Sequence, residues 1–170
     1  MKACAISGYR PEKLPFAGDE TRQEIEAIKQ RLFCEILRMT RTGINVFIAG
    51  MAKGVDTWAA ETVLQIRDTL PERNVQLWAA IPYDRQAASW KTADQERYAR
   101  ILDRADRIEY ISHDYQSGCL QKRNRWMVEH ATHLIAVYDG QPGGTHYTVN
   151  YARRRGLDMT IIEPNDKEEC

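Results

Sequence analysis

Residues 45–70 read NVFIAGMAKGVDTWAAETVLQIRDTL, and the change of period inside this stretch decides the fold class. Asn45–Ala49 is a short apolar run, as a strand covered on both faces requires. It stops at Gly50. Val55, Ala59, Val63, Ile66 and Leu70 then recur at helical spacing until Pro71 closes the helix. The loop between them, Gly50-Met51-Ala52-Lys53-Gly54-Val55-Asp56, runs straight from strand into helix. Its two glycines let a ligand approach the backbone, and the helix that follows offers free N–H groups at its N-terminus.

The same alternation continues outward in both directions. Upstream, Lys2–Gly8 is a strand ending at a glycine. Thr21-Arg-Gln-Glu24 has the form of a capping box, and the stripe Ile25, Ile28, Leu32 and Ile36 runs to Gly43. Downstream, Val75–Ile81 is a third strand, and Tyr98, Ile101, Leu102 and Ala105 mark a helix. Arg107–Ile111 is a strand expected near an edge. Leu120, Asn124, Met127, Val128 and Ala131 mark the next helix, His133–Tyr138 a fifth strand, Thr145–Arg155 a helix and Met159–Glu163 a last strand. Strands separated by helices of this length need crossover connections. They predict an α/β, Rossmann-like three-layer domain, with a mostly parallel sheet and helices on both faces. A single domain is expected over residues 1–165, with a charged tail at Asp166–Cys170.

Composition narrows the function. Lys plus Arg and Asp plus Glu number 24 each, so the formal net charge is zero; this argues against a dedicated DNA or RNA binder, which draws affinity from excess cations. No apolar run approaches the ~20 residues of a membrane span, and a cytoplasmic location is expected. Cys4, Cys34, Cys119 and Cys170 are far apart. They suggest neither a disulfide framework nor a metal site.

Right-handed crossovers bring all the strand ends to one edge, where such sheets bind ligands. After the first strand, Ser7, Gly8, Tyr9 and Arg10 offer a turn, a hydroxyl and a guanidinium. After the second come Gly50, Lys53, Gly54 and Asp56, the last either capping its helix or holding a ligand hydroxyl. After the third come Pro82 and Tyr83, where Tyr83 or Trp90 is a candidate to stack on a base. Asn124 lies on the apolar stripe of its helix and must find partners there. After the fifth strand, Asp139 leads into Gly143, Gly144 and Thr145, a second glycine-rich turn into a helix. Two such loops at one edge predict a phosphate or other anion site, although neither a Walker loop nor GxGxxG is present.

Five segments together resemble the SLOG superfamily of Rossmann-like domains, and within it the YpsA family most closely. They are AISGYRP (5–11), IAGMAKGVDTWAAE (48–61), IPYDRQAASWKTADQERY (81–98), LQKRNRWMVEHATHLIAVYD (120–139) and PGGTHYTVNYA (142–152). The superfamily also includes the DNA-processing protein DprA and the LOG phosphoribohydrolases. The resemblance implies a nucleotide-related ligand at Ser7, Gly8, Gly50, Gly54, Asp56, Gly143, Gly144 and Thr145. It also implies a tendency to self-associate into homo-oligomers. LOG enzymes carry PGGxGTxxE with a catalytic Glu, whereas here Pro142-Gly143-Gly144 continues Thr145-His146-Tyr147-Thr148-Val149, with no acid at the matching place.

Binding or sensing of a nucleotide-derived phosphate ligand is therefore the favoured expectation. A hydrolase acting on such a ligand is the alternative, with Asp56, Glu61 or Asp139 as acid or base. Glu61 lies five positions after Asp56, roughly 140° around the helix. A DprA-like single-stranded DNA binder is the third reading, with Lys122, Arg123 and Arg125 as its candidate basic patch.

Overall fold

The computed structural model describes residues 2–166. In chain order they form β1 (Ala3–Gly8), α1 (Gln23–Arg41), β2 (Val46–Ala49), α2 (Val55–Thr69), β3 (Gln76–Ile81) and α3 (Thr92–Leu102). These are followed by β4 (Arg107–Tyr110), α4 (Cys119–Glu129), β5 (His133–Val137), α5 (Gly144–Arg154) and β6 (Asp158–Ile162). Every element expected from the periodicity is present, with ends shifted by a few residues. The sheet order is β4-β3-β2-β1-β5-β6, and every neighbouring pair is parallel. This is the Rossmann-like α/β architecture.

The period of two along β1 sends Cys4 and Ile6 to one core layer and Ala3 and Ala5 to the other. The first layer receives the α1 stripe of Ile25, Ile28, Leu32, Ile36 and Met39, together with α2 and Ile101 of α3. The second receives Met127 and Val128 of α4 and Val149 and Ala152 of α5. Each fully buried Ile or Leu adds about 1.5–3 kcal/mol over its exposed state, so the two layers together hold the sheet rigid beneath its loops. Strand β4 is the edge anticipated from the sequence, with Ile108 and Tyr110 exposed.

Several local expectations are corrected. The capping box at Thr21–Glu24 does not form: α1 is capped by Arg22 without a side-chain bond, and Thr21 Oγ1 instead donates to Asp19 Oδ1 at 2.7 Å. An Asp two residues upstream outcompetes the helix for that hydroxyl. Cys4 and Cys119 are buried free thiols. Of the expected tail, Asp166 is described and pairs with Arg31 Nη2 at 3.8 Å; the rest lies outside the described residues. Among the described residues no helix is long and apolar enough to cross a membrane.

Candidate functional site

The chain steps from β1 through β2 and β3 to β4, then returns to place β5 against the free side of β1. The order therefore reverses between β1 and β5, whose ends are in register at Gly8 and Val137. A cleft of 240 Å³ opens there, outside the carboxyl ends of the strands, where ligands bind to open α/β sheets.

From the loop after β2 and the first turn of α2, Ala52 and Asp56 line the cleft, whereas Gly50 does not and Gly54 lines a neighbouring depression. Gly54 caps α2 with φ +86°, and a Cβ there would stand 2.7 Å from the Tyr9 carbonyl oxygen. That close approach lets the Val55 amide donate to Tyr9 O at 3.3 Å and joins the first two loops. Met51 is fully buried with φ +59°, an unfavourable conformation for a residue with a side chain. Asp56 does not cap α2. Its Oδ2 accepts from the amide of Ala52 at 3.2 Å, folding the loop back over the first helical turn.

Beneath the cleft lies a buried ion pair. Arg123 of α4 and Asp56 of α2 are 6% and 9% exposed in their side chains and stand 3.9 Å apart. Arg123 also donates from Nη1 to the Gly50 carbonyl and from Nε to Asn124 Oδ1 at 2.8 Å. Burial pushes the Asp56 carboxyl up, opposed by the charge of Arg123, the Ala52 amide and the charge of Arg10. The guanidinium, whose ordinary value is far above neutrality, keeps its proton.

Around this pair several polar groups open into the cleft. Ser7 and Thr145 are 9% and 7% exposed and line the cleft, and their hydroxyls have no hydrogen-bond partner among the described residues. The Asn124 amide nitrogen and the Arg10 guanidinium likewise line it without a hydrogen bond or salt bridge. Gly143, with φ +143°, turns the chain into α5. The first α5 amide to bond back is Tyr147, to Gly143 O at 3.0 Å, which leaves the amides of Gly144 and Thr145 as free helix N-terminal donors.

Other residues singled out in the sequence are placed elsewhere. Glu61 is held by Arg97 at 2.6 Å, in a network with Glu20, and does not line the cleft. Asp139 accepts from the Tyr9 hydroxyl; burial and this carboxylate push the Tyr9 phenol up to about 12. Lys53 stands 3.9 Å from Asp94 and near the Trp90 ring, in a neighbouring depression. Pro82 is buried, and Tyr83 packs edge-on against Tyr115 at 5.3 Å; neither reaches the cleft. Trp90 packs against Tyr98 in the same way. The basic patch on α4 is broken, since Arg123 points inward while Lys122 and Arg125 are exposed.

Among the charged residues of the cleft, Arg123 was expected in a surface patch, and Glu12 and Lys13 were not expected at the site. Arg123 falls four positions before Met127 on the buried face of α4, a spacing that carried its signal. Lys13 lies in a short 3₁₀ turn, Pro11–Lys13, where no periodicity marks it.

Comparisons with known proteins agree with this architecture. The YpsA family profile, described as the YspA SLOG family, matches residues 4–166. A UPF0398 protein of Halalkalibacterium halodurans is 30% identical, covering 99% of this chain and 91% of that one. A UPF0398 protein of Bacillus cereus strain B4264 is 31% identical over 92% of this chain and 85% of its own. Among solved structures, DNA processing protein A of Streptococcus pneumoniae superposes with a TM-score of 0.63 at 17% identity, over 96% of this chain. The chain spans 50% of that protein's length. The Helicobacter pylori protein, described for its single-stranded DNA binding mode, gives 0.65 at 18% identity over 99% of this chain and 68% of its own.

Proposed function

The chain belongs to the YspA SLOG family, and from that premise we propose that it binds the phosphate-bearing part of a nucleotide or nucleotide derivative in the cleft between β1 and β5. The observation that carries this reading is the convergence of unpartnered donors on one small volume. The free amides at the α5 N-terminus face a cleft that is also lined by Ser7 and Thr145, whose hydroxyls are open to it and bond to no described residue, and by Arg10. Donors that converge on one concave volume without protein acceptors favour an anionic occupant, which the helix terminus stabilises further.

At 240 Å³ the cleft is smaller than the roughly 300–1,000 Å³ of pockets that enclose a drug-sized ligand. It accommodates a phosphorylated sugar, with the remainder of the ligand projecting outward. The second Asp56 oxygen supplies an acceptor for a ligand hydroxyl. Binding is favoured over hydrolysis because Glu61 and Asp139 are engaged by Arg97 and Tyr9, leaving Asp56 alone of the three candidate carboxylates at the cleft.

Isothermal titration with adenosine 5′-monophosphate, ADP-ribose and a single-stranded oligonucleotide tests the assignment. Saturable binding of either nucleotide ligand is expected, with unphosphorylated adenosine much weaker. Binding of the oligonucleotide with neither nucleotide bound would refute it.

A further inference from the structure

We propose that Lys13 is the cation that closes this cleft over its ligand, exchanging the Pro142 carbonyl for phosphate oxygens; the inference rests on the anion site proposed above. Lys13 ends the turn after β1, where its amide donates to Arg10 O at 3.0 Å. From there the side chain crosses to the loop after β5, where Nζ donates to Pro142 O at 2.5 Å. On the way it passes the Tyr9 ring, with Nζ 5.6 Å from the ring centroid. At its far end the ammonium is 2.5 Å from the point where a Cβ on Gly143 would stand. That is the approach to the α5 N-terminus, beside the free amides of Gly144 and Thr145.

The ammonium is poorly satisfied in this position. It carries three donors, and among the described residues its hydrogen-bond partner is one neutral carbonyl, with no carboxylate paired to it. An ionised phosphate is a far stronger acceptor than a peptide carbonyl, and a phosphate at the α5 terminus lies within a side-chain rotation of Nζ. The exchange needs no loop movement. The hydroxyl of Tyr9 donates to Asp139, a second bridge that keeps the two loops docked while Lys13 changes partner. Lys13 thus straps the two loops together and turns to the phosphate when a ligand binds.

The test uses Lys13→Met, which keeps the alkyl stem over Tyr9 and removes the charge, and Lys13→Arg, which restores it. Binding of adenosine 5′-monophosphate is measured by calorimetry, and hydrogen exchange of the segment 139–145 is followed with and without it. Lys13→Met is expected to weaken the nucleotide by about tenfold or more, the effect of losing one charged hydrogen bond. It also speeds exchange of the segment in the unliganded protein, and Lys13→Arg recovers most of both effects. Unchanged nucleotide affinity in Lys13→Met, with or without faster exchange, would overturn the clamp and leave the anion site standing. Failure of the wild-type protein to bind would refute the anion site, and the clamp with it.

Discussion

Replacing Gly144 by Asp separates the anion site from the stability of the fold. Gly144 is the first residue of α5 and its φ is not positive. A Cβ built there meets only the Asn124 amide nitrogen, at 4.0 Å, so the side chain has room. An acid in the first turn of a helix is favourable by about 0.3–1 kcal/mol, and the unliganded variant should melt at or slightly above wild type. The same carboxylate occupies the mouth of the proposed phosphate site and repels an anion. For wild type at a ligand concentration of 100 Kd, linkage adds ~2.7 kcal/mol. At about 2–4 °C per kcal/mol for a chain of this size, that is a rise of roughly 5–11 °C. If the variant binds a hundredfold more weakly, the same concentration adds only ~0.4 kcal/mol, a rise of roughly 1 °C. Thermal melts of wild type, Gly144→Asp and the uncharged Gly144→Asn, with and without adenosine 5′-monophosphate, measure this directly. A folded Gly144→Asp protein with the full wild-type shift would refute the placement of the phosphate at the α5 terminus.

Arg123→Met leaves Asp56 buried without its counter-charge and should cost about 3–5 kcal/mol in urea denaturation. Adding Asp56→Asn to it should recover part of that loss. Gly54→Ala forces a Cβ into a φ of +86° and against the Tyr9 carbonyl; a loss of more than about 1 kcal/mol is expected by the same measurement. Burial pushes the Glu20 carboxyl up, but hydrogen bonds from Arg97 and Lys29 outweigh it and hold the group at about 2, below the ordinary 4.5. Its contribution is therefore present above pH 4.5 and disappears as pH falls toward 2. In a pH series of melting temperatures, Glu20→Gln should lie below wild type at neutral pH and converge with it in acid.

The sequence determined the elements and their faces, because those follow from periods of 2 and 3.6 that a few neighbouring residues establish. The stripe Ile25–Ile36 and the run Asn45–Ala49 each carry their burial pattern locally, and the turns at Gly54 and Gly143 are marked by residues that tolerate positive φ. The expected edge strand at Arg107 was legible for the same reason, since its run is short and interrupted by charge. Strand order was not legible. Nothing local in β5 says that it returns to β1, yet that reversal creates the cleft. Tertiary structure alone also decided which side chains reach it. Arg123 shares the buried face of α4 with Met127, but only packing shows that it bonds to a carbonyl 73 residues away. Lys13 meets Pro142 across 129 residues, and Glu61 is drawn off by Arg97 from α3. The destination of a long polar side chain depends on which distant backbone the fold brings beside it, and no local period encodes that.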